Sequence, residues 1–222
     1  MATSFKNYQI ALPQTEDSFY TDDQFTRIQT NLANIQSNYG TFINRQSQLS
    51  NVPAEIIKSF IFIESSGQEN AKSGAGAIGL MQITPNSMND ILVLENQKNR
   101  LSVGEKAYLT ELIGADRANQ VFATRVLGRL NVITTDDLLD PATNIFIGTI
   151  YLGLLIDRFT ENKVIRLDKV VIQYNMGWFA NKSGTTLQGN TIDDLIASVN
   201  KESSTYITKL LGQNGVLLAT IS

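Results

Sequence analysis

Cysteine is absent from the 222 residues, so no disulfide, thiolate nucleophile or cysteine-held metal can form. Histidine is absent too, and this excludes more. No Ser-His-Asp triad, Cys-His pair, zinc–histidine cluster or imidazole base is available. Acid–base chemistry is left to carboxylates, Tyr, Lys or water, and no metal or cofactor is expected. An excess of positive charge is missing: 18 Lys+Arg stand against 21 Asp+Glu, a formal charge of −3, which argues against a nucleic-acid partner. The longest uncharged apolar stretch, residues 145–156, falls short of the roughly 20 residues a membrane span requires. The N-terminus lacks a basic region followed by an apolar one, so no secretory signal is read. With 42% hydrophobic residues, 18% charged and only four prolines, the chain is globular and long enough to bury a core without staples.

What is present reads as helices. Residues 1–20 show no clear period and are expected to form an irregular arm. Thr21 and Gln24 have capping-box spacing, and Phe25, Ile28, Leu32, Ile35, Tyr39 and Phe42 then form one apolar stripe on a helix ending near Leu49. The stripe suits packing onto the domain better than a coiled coil, because clean heptads are few and Gly40 interrupts it. Pro53 opens a second helix, apolar nearly all round through Ile56, Ile57, Phe60, Ile61 and Ile63, with Gly67 as its stop. Four glycines between 67 and 79 predict turns and a short hairpin. Further helix starts fall at Thr84-Pro85, at Ser102 with Glu105, and at Asp140-Pro141, with Gly114 and Gly128 as breakers. A helix of about five turns should follow Pro141. Others should span Leu167 to Met176, Ile192 to Val199 and Ser203 to Leu211, with a Gly/Ser/Thr/Asn-rich loop over 180–190.

Glu64 sits at the C-terminal end of the apolar helix and faces the glycine-rich segment. A carboxyl there would be partly desolvated, which raises its pKa toward that of a general acid; a solvated helix-end glutamate is the plainer alternative. The neighbourhood decides between them. Glu64-Ser65, Ser73, Gly76-Ala77 and the unbroken Gly79-Leu80-Met81-Gln82 resemble the central motifs of the Slt-type lytic transglycosylases, lysozyme-like enzymes that cleave peptidoglycan. Three more elements follow in that family's order: Asp140-Pro141 with Asn144-Ile145, Gly148 and Tyr151-Leu152; Tyr174-Asn175-Met176-Gly177; and Glu202 with Tyr206-Ile207. Gln173 and Ser203 stand where the family has Ala and Thr. The resemblance covers about Pro53 to Leu211. It implies a mostly α, lysozyme-like (α+β) domain over 51–222 with a helical insertion around 86–135, preceded by an arm over 1–50.

The roles below are those the resemblance implies. Glu64 would be catalytic, and Ser65 would orient it or touch sugar, unless Ser65 merely caps the helix. Ser73, Met81 and Gln82 would line the cleft, although Met81 suits core packing equally. Tyr174 and Asn175 would form the opposite wall, or else a buried pair holding a helix end. Glu202 and Tyr206 would complete the site, or be structural. Trp178 and Phe179 could stack on sugar but are left out of the site. Goose-type lysozymes share this fold and carry aspartates at positions that match Ser73 and Thr84. Without those carboxylates, one acid would serve alone, forming a 1,6-anhydro product without water, metal or cofactor. Two alternatives stand. One is a hydrolytic lysozyme recruiting Asp90, Glu95, Glu105, Glu111 or Asp116; the other is a non-catalytic glycan-binding part of a larger machine. The expected workplace is cell-wall peptidoglycan outside the cytoplasm. Lacking a visible signal, the chain is expected to arrive with a phage virion or an envelope-spanning machine, docked through residues 1–50.

Overall fold

A computed structural model describes residues 3–5, 8–11, 15–177, 187 and 191–221, with side chains described from Ser18 onward. The elements are β1 (Thr3–Phe5), β2 (Tyr8–Ala11), β3 (Thr15–Ser18), α1 (Asp22–Ser50), α2 (Ala54–Ser65), α3 (Pro85–Gln97), α4 (Val103–Ile113), α5 (Ala115–Ala123), α6 (Thr135–Leu139) and α7 (Pro141–Arg158). After these come β4 (Thr160–Glu161), β5 (Val164–Arg166), α8 (Leu167–Met176), α9 (Ile192–Ser198), α10 (Lys201–Leu211), β6 (Gly212–Gln213) and α11 (Val216–Ile221). The fold is mostly helical with few short strands, in keeping with a lysozyme-like domain. No described helix is long and apolar enough to cross a membrane.

The helix starts lie where local chemistry puts them. Thr21 and Gln24 exchange side-chain to backbone hydrogen bonds at the head of α1. Ser102 and Glu105 do the same for α4, and Thr84 caps α3 with Pro85 in the first turn. At α7, the Asp140 carboxylate accepts the Thr143 N–H at 2.8 Å. Ser66, in the left-handed region at φ 53°, ends α2 just before Gly67. Gly114 separates α4 from α5, and Gly177 stops α8. The loop expected over 180–190 and the aromatic pair Trp178 and Phe179 lie outside the described residues, apart from Leu187.

The described residues before Phe19 form short strands where an irregular arm was expected. β1 and β2 pair antiparallel, β2 runs parallel to β5, and β5 pairs with β4, while β3 pairs with β6. Strands of two to four residues carry no readable period, and β2 and β3 take partners more than 150 positions away. These strands belong to one compact unit, Met1–Asn34 with Leu152–Ser222; Ile35–Tyr151 form the other. Helices α1 and α7 contribute to both, so the units cut across a division at residue 50.

The α1 stripe is covered by the chain itself. Ile28, Leu32, Ile35 and Tyr39 are buried, and the stripe continues through Ile43 and Gln46 at 0% exposure, whereas Phe42 lies half-buried. A stripe so covered is not the docking face expected of it, and a chain lacking residues 1–50 would lose core. In the Ile35–Tyr151 unit, Arg45 pairs with Glu111 on α4 and lies 3.6 Å from the Tyr108 ring centroid. Both polar side-chain atoms of Gln46 are buried without a hydrogen-bond partner. Gln46→Met keeps the volume and removes two unsatisfied groups, each costing about 1–3 kcal/mol. Calorimetry should show a thermal midpoint raised by several degrees. Ile43→Ala should instead lower stability by about 2–5 kcal/mol.

Candidate active site

Glu64 is the penultimate residue of α2 and half-buried. The helix around it hides Ile56, Ile57, Phe60 and Ile61 completely or nearly so, which fixes the face on which its end emerges. Ser65 is buried. Its hydroxyl lies 2.8 Å from the Leu80 carbonyl and 3.1 Å from the Ile61 carbonyl, and it accepts the Gly67 N–H at 3.2 Å. The residue beside the carboxylate therefore ties the helix end to the Gly-Leu-Met-Gln turn. That contact suits positioning Glu64 better than touching a sugar.

The segment from 71 to 83 is a folded turn system. Ile78 and Ile83 exchange backbone hydrogen bonds at 2.9 and 3.2 Å, and the Gly79 N–H donates to the Ala71 carbonyl at 2.8 Å. Ser73 is exposed, and its hydroxyl accepts the Ala77 N–H at 3.0 Å, closing a tight loop. Gln82 takes φ 45° and directs its amide nitrogen at the Ala71 and Gly79 carbonyls, at 3.2 and 3.0 Å. Met81 is fully buried. A Cβ on Gly148 of α7 would come within 2.5 Å of the Met81 sulfur, so Met81 works by packing and not by lining an open cleft.

One side chain holds this turn from behind. The Asn144 carboxamide accepts the Met81 N–H at 2.8 Å and donates to the Ile78 and Leu138 carbonyls at 3.0 and 2.8 Å. Gly79 has φ 75°, and a Cβ there would lie 2.3 Å from the Asn144 amide nitrogen, so only glycine fits. Asn144 and Gly148 stand four apart on one helix face. Their motif was visible in the sequence; the clamp they form was not.

Beyond α2, a polar depression is lined by Asn38, Tyr39, Gly67, Gln68, Glu69 and Asn70. The Tyr39 hydroxyl donates to Glu69 at 3.2 Å or to the Gly67 carbonyl at 3.3 Å. Burial pushes the Tyr39 phenol above its ordinary range, and the Glu69 carboxylate pushes it further. The sequence showed Tyr39 only as a stripe residue.

The carboxylates of the 86–135 segment mostly have other work. Asp90 accepts the Gly128 N–H, Glu95 pairs with Arg100, Glu105 closes the α4 capping box, and Glu111 pairs with Arg45. Asp116 is exposed in the first turn of α5. Thr84, like Ser73, uses its hydroxyl locally, as the cap of α3.

Tyr174, Asn175, Glu202 and Tyr206 lie in the other unit, on α8 and α10. Tyr174 is buried, Asn175 and Tyr206 are half-buried, and Glu202 is exposed. The Asn175 amide oxygen accepts the Ser203 hydroxyl at 2.9 Å, which joins the Tyr-Asn motif to the terminal one. Gln173 donates to the Gly177 carbonyl at 2.9 Å and fastens the end of α8.

Residues 41–105 match the family described as Transglycosylase SLT domain. Two similar proteins both carry the name membrane-bound lytic murein transglycosylase E. One, from Buchnera aphidicola subsp. Acyrthosiphon pisum, is 26% identical over 213 residues, 94% of this chain and 79% of that protein. The other, from Buchnera aphidicola subsp. Baizongia pistaciae, is 33% identical over 138 residues, 61% of this chain and 50% of its own length.

The clamp makes a direct prediction. Asn144→Ala strands the Met81 N–H and two carbonyls and should destabilise the chain by on the order of 3 kcal/mol in urea unfolding. Gly79→Ala should also destabilise, through its positive φ and the collision with Asn144. An Asn144→Ala chain as stable as wild type would mean that the carboxamide does not hold the turn.

Proposed function

The chain is of the Slt lytic-transglycosylase type, and from that premise we propose that it cleaves the β-1,4 bond between N-acetylmuramic acid and N-acetylglucosamine by intramolecular transfer, with Glu64 as acid and then base. The observation that carries this reading is the commitment of the other candidate groups. Most glycosidases use two carboxylates, roughly 5–5.5 Å apart in retaining enzymes and 6.5–9.5 Å in inverting ones. Here Ser73 and Thr84 have no carboxylate to offer, and four of the five acids named in the 86–135 segment are hydrogen-bonded or ion-paired elsewhere.

The reaction then needs one carboxyl. Glu64 gives its proton to the bridging oxygen as the bond from C1 of the muramic acid breaks, and the substrate's own N-acetyl oxygen stabilises the oxocarbenium-like charge. Glu64, now a carboxylate, accepts the proton of the 6-hydroxyl as O6 bonds to C1. The products are a 1,6-anhydro end and a free 4-hydroxyl, with the proton returned to Glu64. Attack from within the same sugar gains the proximity advantage of an intramolecular step. Ser65 and the clamped turn hold the end of the Glu64 helix, and Ser73, Gln82, Tyr174, Asn175, Glu202 and Tyr206 serve substrate binding as in the resembled family. Such an enzyme acts on the cell wall, outside the cytoplasm.

Glu64→Gln keeps the side-chain shape and loses the proton, so release of soluble muropeptides from purified sacculi should fall by about 10²–10⁴-fold. The thermal midpoint should not fall. Turnover near wild type in that variant would end the assignment.

A further inference from the structure

The segment over 86–135 takes no part in the chemistry proposed for Glu64. Its loop over residues 124–131 carries Arg125, Val126, Leu127 and Arg129. Val126 is 58% exposed and Leu127 44%. Exposed aliphatic residues are ordinary by themselves. What sets this pair apart is how firmly the loop presenting it is held. At its start, Asn96 donates to the Phe122 carbonyl at 3.0 Å. At its middle, Asp90 accepts the Gly128 N–H at 2.6 Å. At its end, the buried Asn89 accepts the Val132 and Ile133 N–H groups at 2.9 and 3.0 Å and donates to the Ile133 carbonyl at 3.1 Å. Three side chains of α3 thus fasten the loop, and Arg117 adds a hydrogen bond to the Val132 carbonyl. A loop so fastened shows Val126 and Leu127 to solvent by construction, not by fraying.

The flanking charge indicates the partner. Arg125 and Arg129 are both exposed, and among the described residues no carboxylate pairs with either. Arg125 donates to the Phe122 and Thr124 carbonyls at 2.7 and 3.2 Å. The Asp90 carboxylate faces the loop but is engaged by the Gly128 N–H. A pair of small aliphatic side chains is too little for the core of a stable protein interface, which buries about 800 Å² on each side. Cations on either side of an apolar tip match a bilayer boundary, where phosphates lie outside and acyl chains beneath.

We propose that this loop is an interfacial contact for an anionic lipid surface: Val126 and Leu127 enter the headgroup–acyl boundary while Arg125 and Arg129 meet lipid phosphates. The net charge of −3 opposes approach of the whole molecule, so the attraction is local, reversible and weakened by salt. The contact is independent of the glycan chemistry.

The test is flotation of the full chain with vesicles of phosphatidylglycerol and phosphatidylcholine, against phosphatidylcholine alone, at low and high salt. Wild type should partition several-fold more strongly to the anionic vesicles. Val126→Ser with Leu127→Ser should lose on the order of tenfold on both. Arg125→Gln with Arg129→Gln should lose roughly 25-fold on the anionic vesicles at low salt and little on the neutral ones. Thermal midpoint and glycan release should be unchanged in both variants. Equal partition of wild type and the Val126/Leu127 variant would overturn the proposal. So would vesicle binding absent from all chains, with sacculus binding that the same variant loses, which would give the loop to glycan.

Discussion

The Asn144 carboxamide is the interaction on which the site depends. Buried on α7, it completes three hydrogen bonds with backbone groups of residues 78, 81 and 138. A turn of consecutive buried residues cannot satisfy its own N–H and carbonyl groups, and an unmet buried one costs about as much as a lost hydrogen bond. Asn144 meets that demand with a single side chain. The two glycines follow from it. Gly79 leaves room for the carboxamide, and Gly148 lets Met81 lie against the helix. Through Leu80, the same turn receives the Ser65 hydroxyl, so the end of the Glu64 helix is fixed by a chain of contacts that starts on α7.

The proposed mechanism gives a protein without histidine or cysteine a route to acid–base catalysis. On that proposal the site needs one carboxyl and not a relay of groups. In the 86–135 segment Asp90, Glu95, Glu105 and Glu111 serve the fold, holding a loop, capping a helix or pairing with arginine. A hydrolase on the same scaffold would need one of them free to activate water.

What could be read in the sequence is what local chemistry decides. Thr21 with Gln24, Thr84-Pro85, Ser102 with Glu105, and Asp140-Pro141 mark helix starts because capping acts within four residues. Gly67 and Gly177 mark stops for the same reason. Thr134 with Asp137 had capping-box spacing too, yet α6 was not foreseen, its five residues being too short for a period. β2 and β3 escaped because their partners lie more than 150 positions away, and the β4–β5 hairpin and α11 because elements of two to six residues are too short to show a period. The turns over 67–79 were legible in their glycines, and the family resemblance is what singles out Glu64 and the Gly-Leu-Met-Gln run. The roles of Asn144, of Ser65 against Leu80, and of Tyr39 against Glu69 were not, because their partners lie 15 to 66 positions away. The α1 stripe was legible as apolar, but periodicity does not say whether an apolar face meets the same chain or another.

The central claim is that the bond to the muramic acid is replaced by one to its own 6-hydroxyl and not to water. Digestion of purified sacculi in heavy-oxygen water, followed by mass analysis of the released muropeptides, tests it most directly. Intramolecular transfer predicts anhydro ends that carry no solvent oxygen. Reducing ends carrying one heavy oxygen each would mean that water attacks C1, and that a second carboxylate activates it.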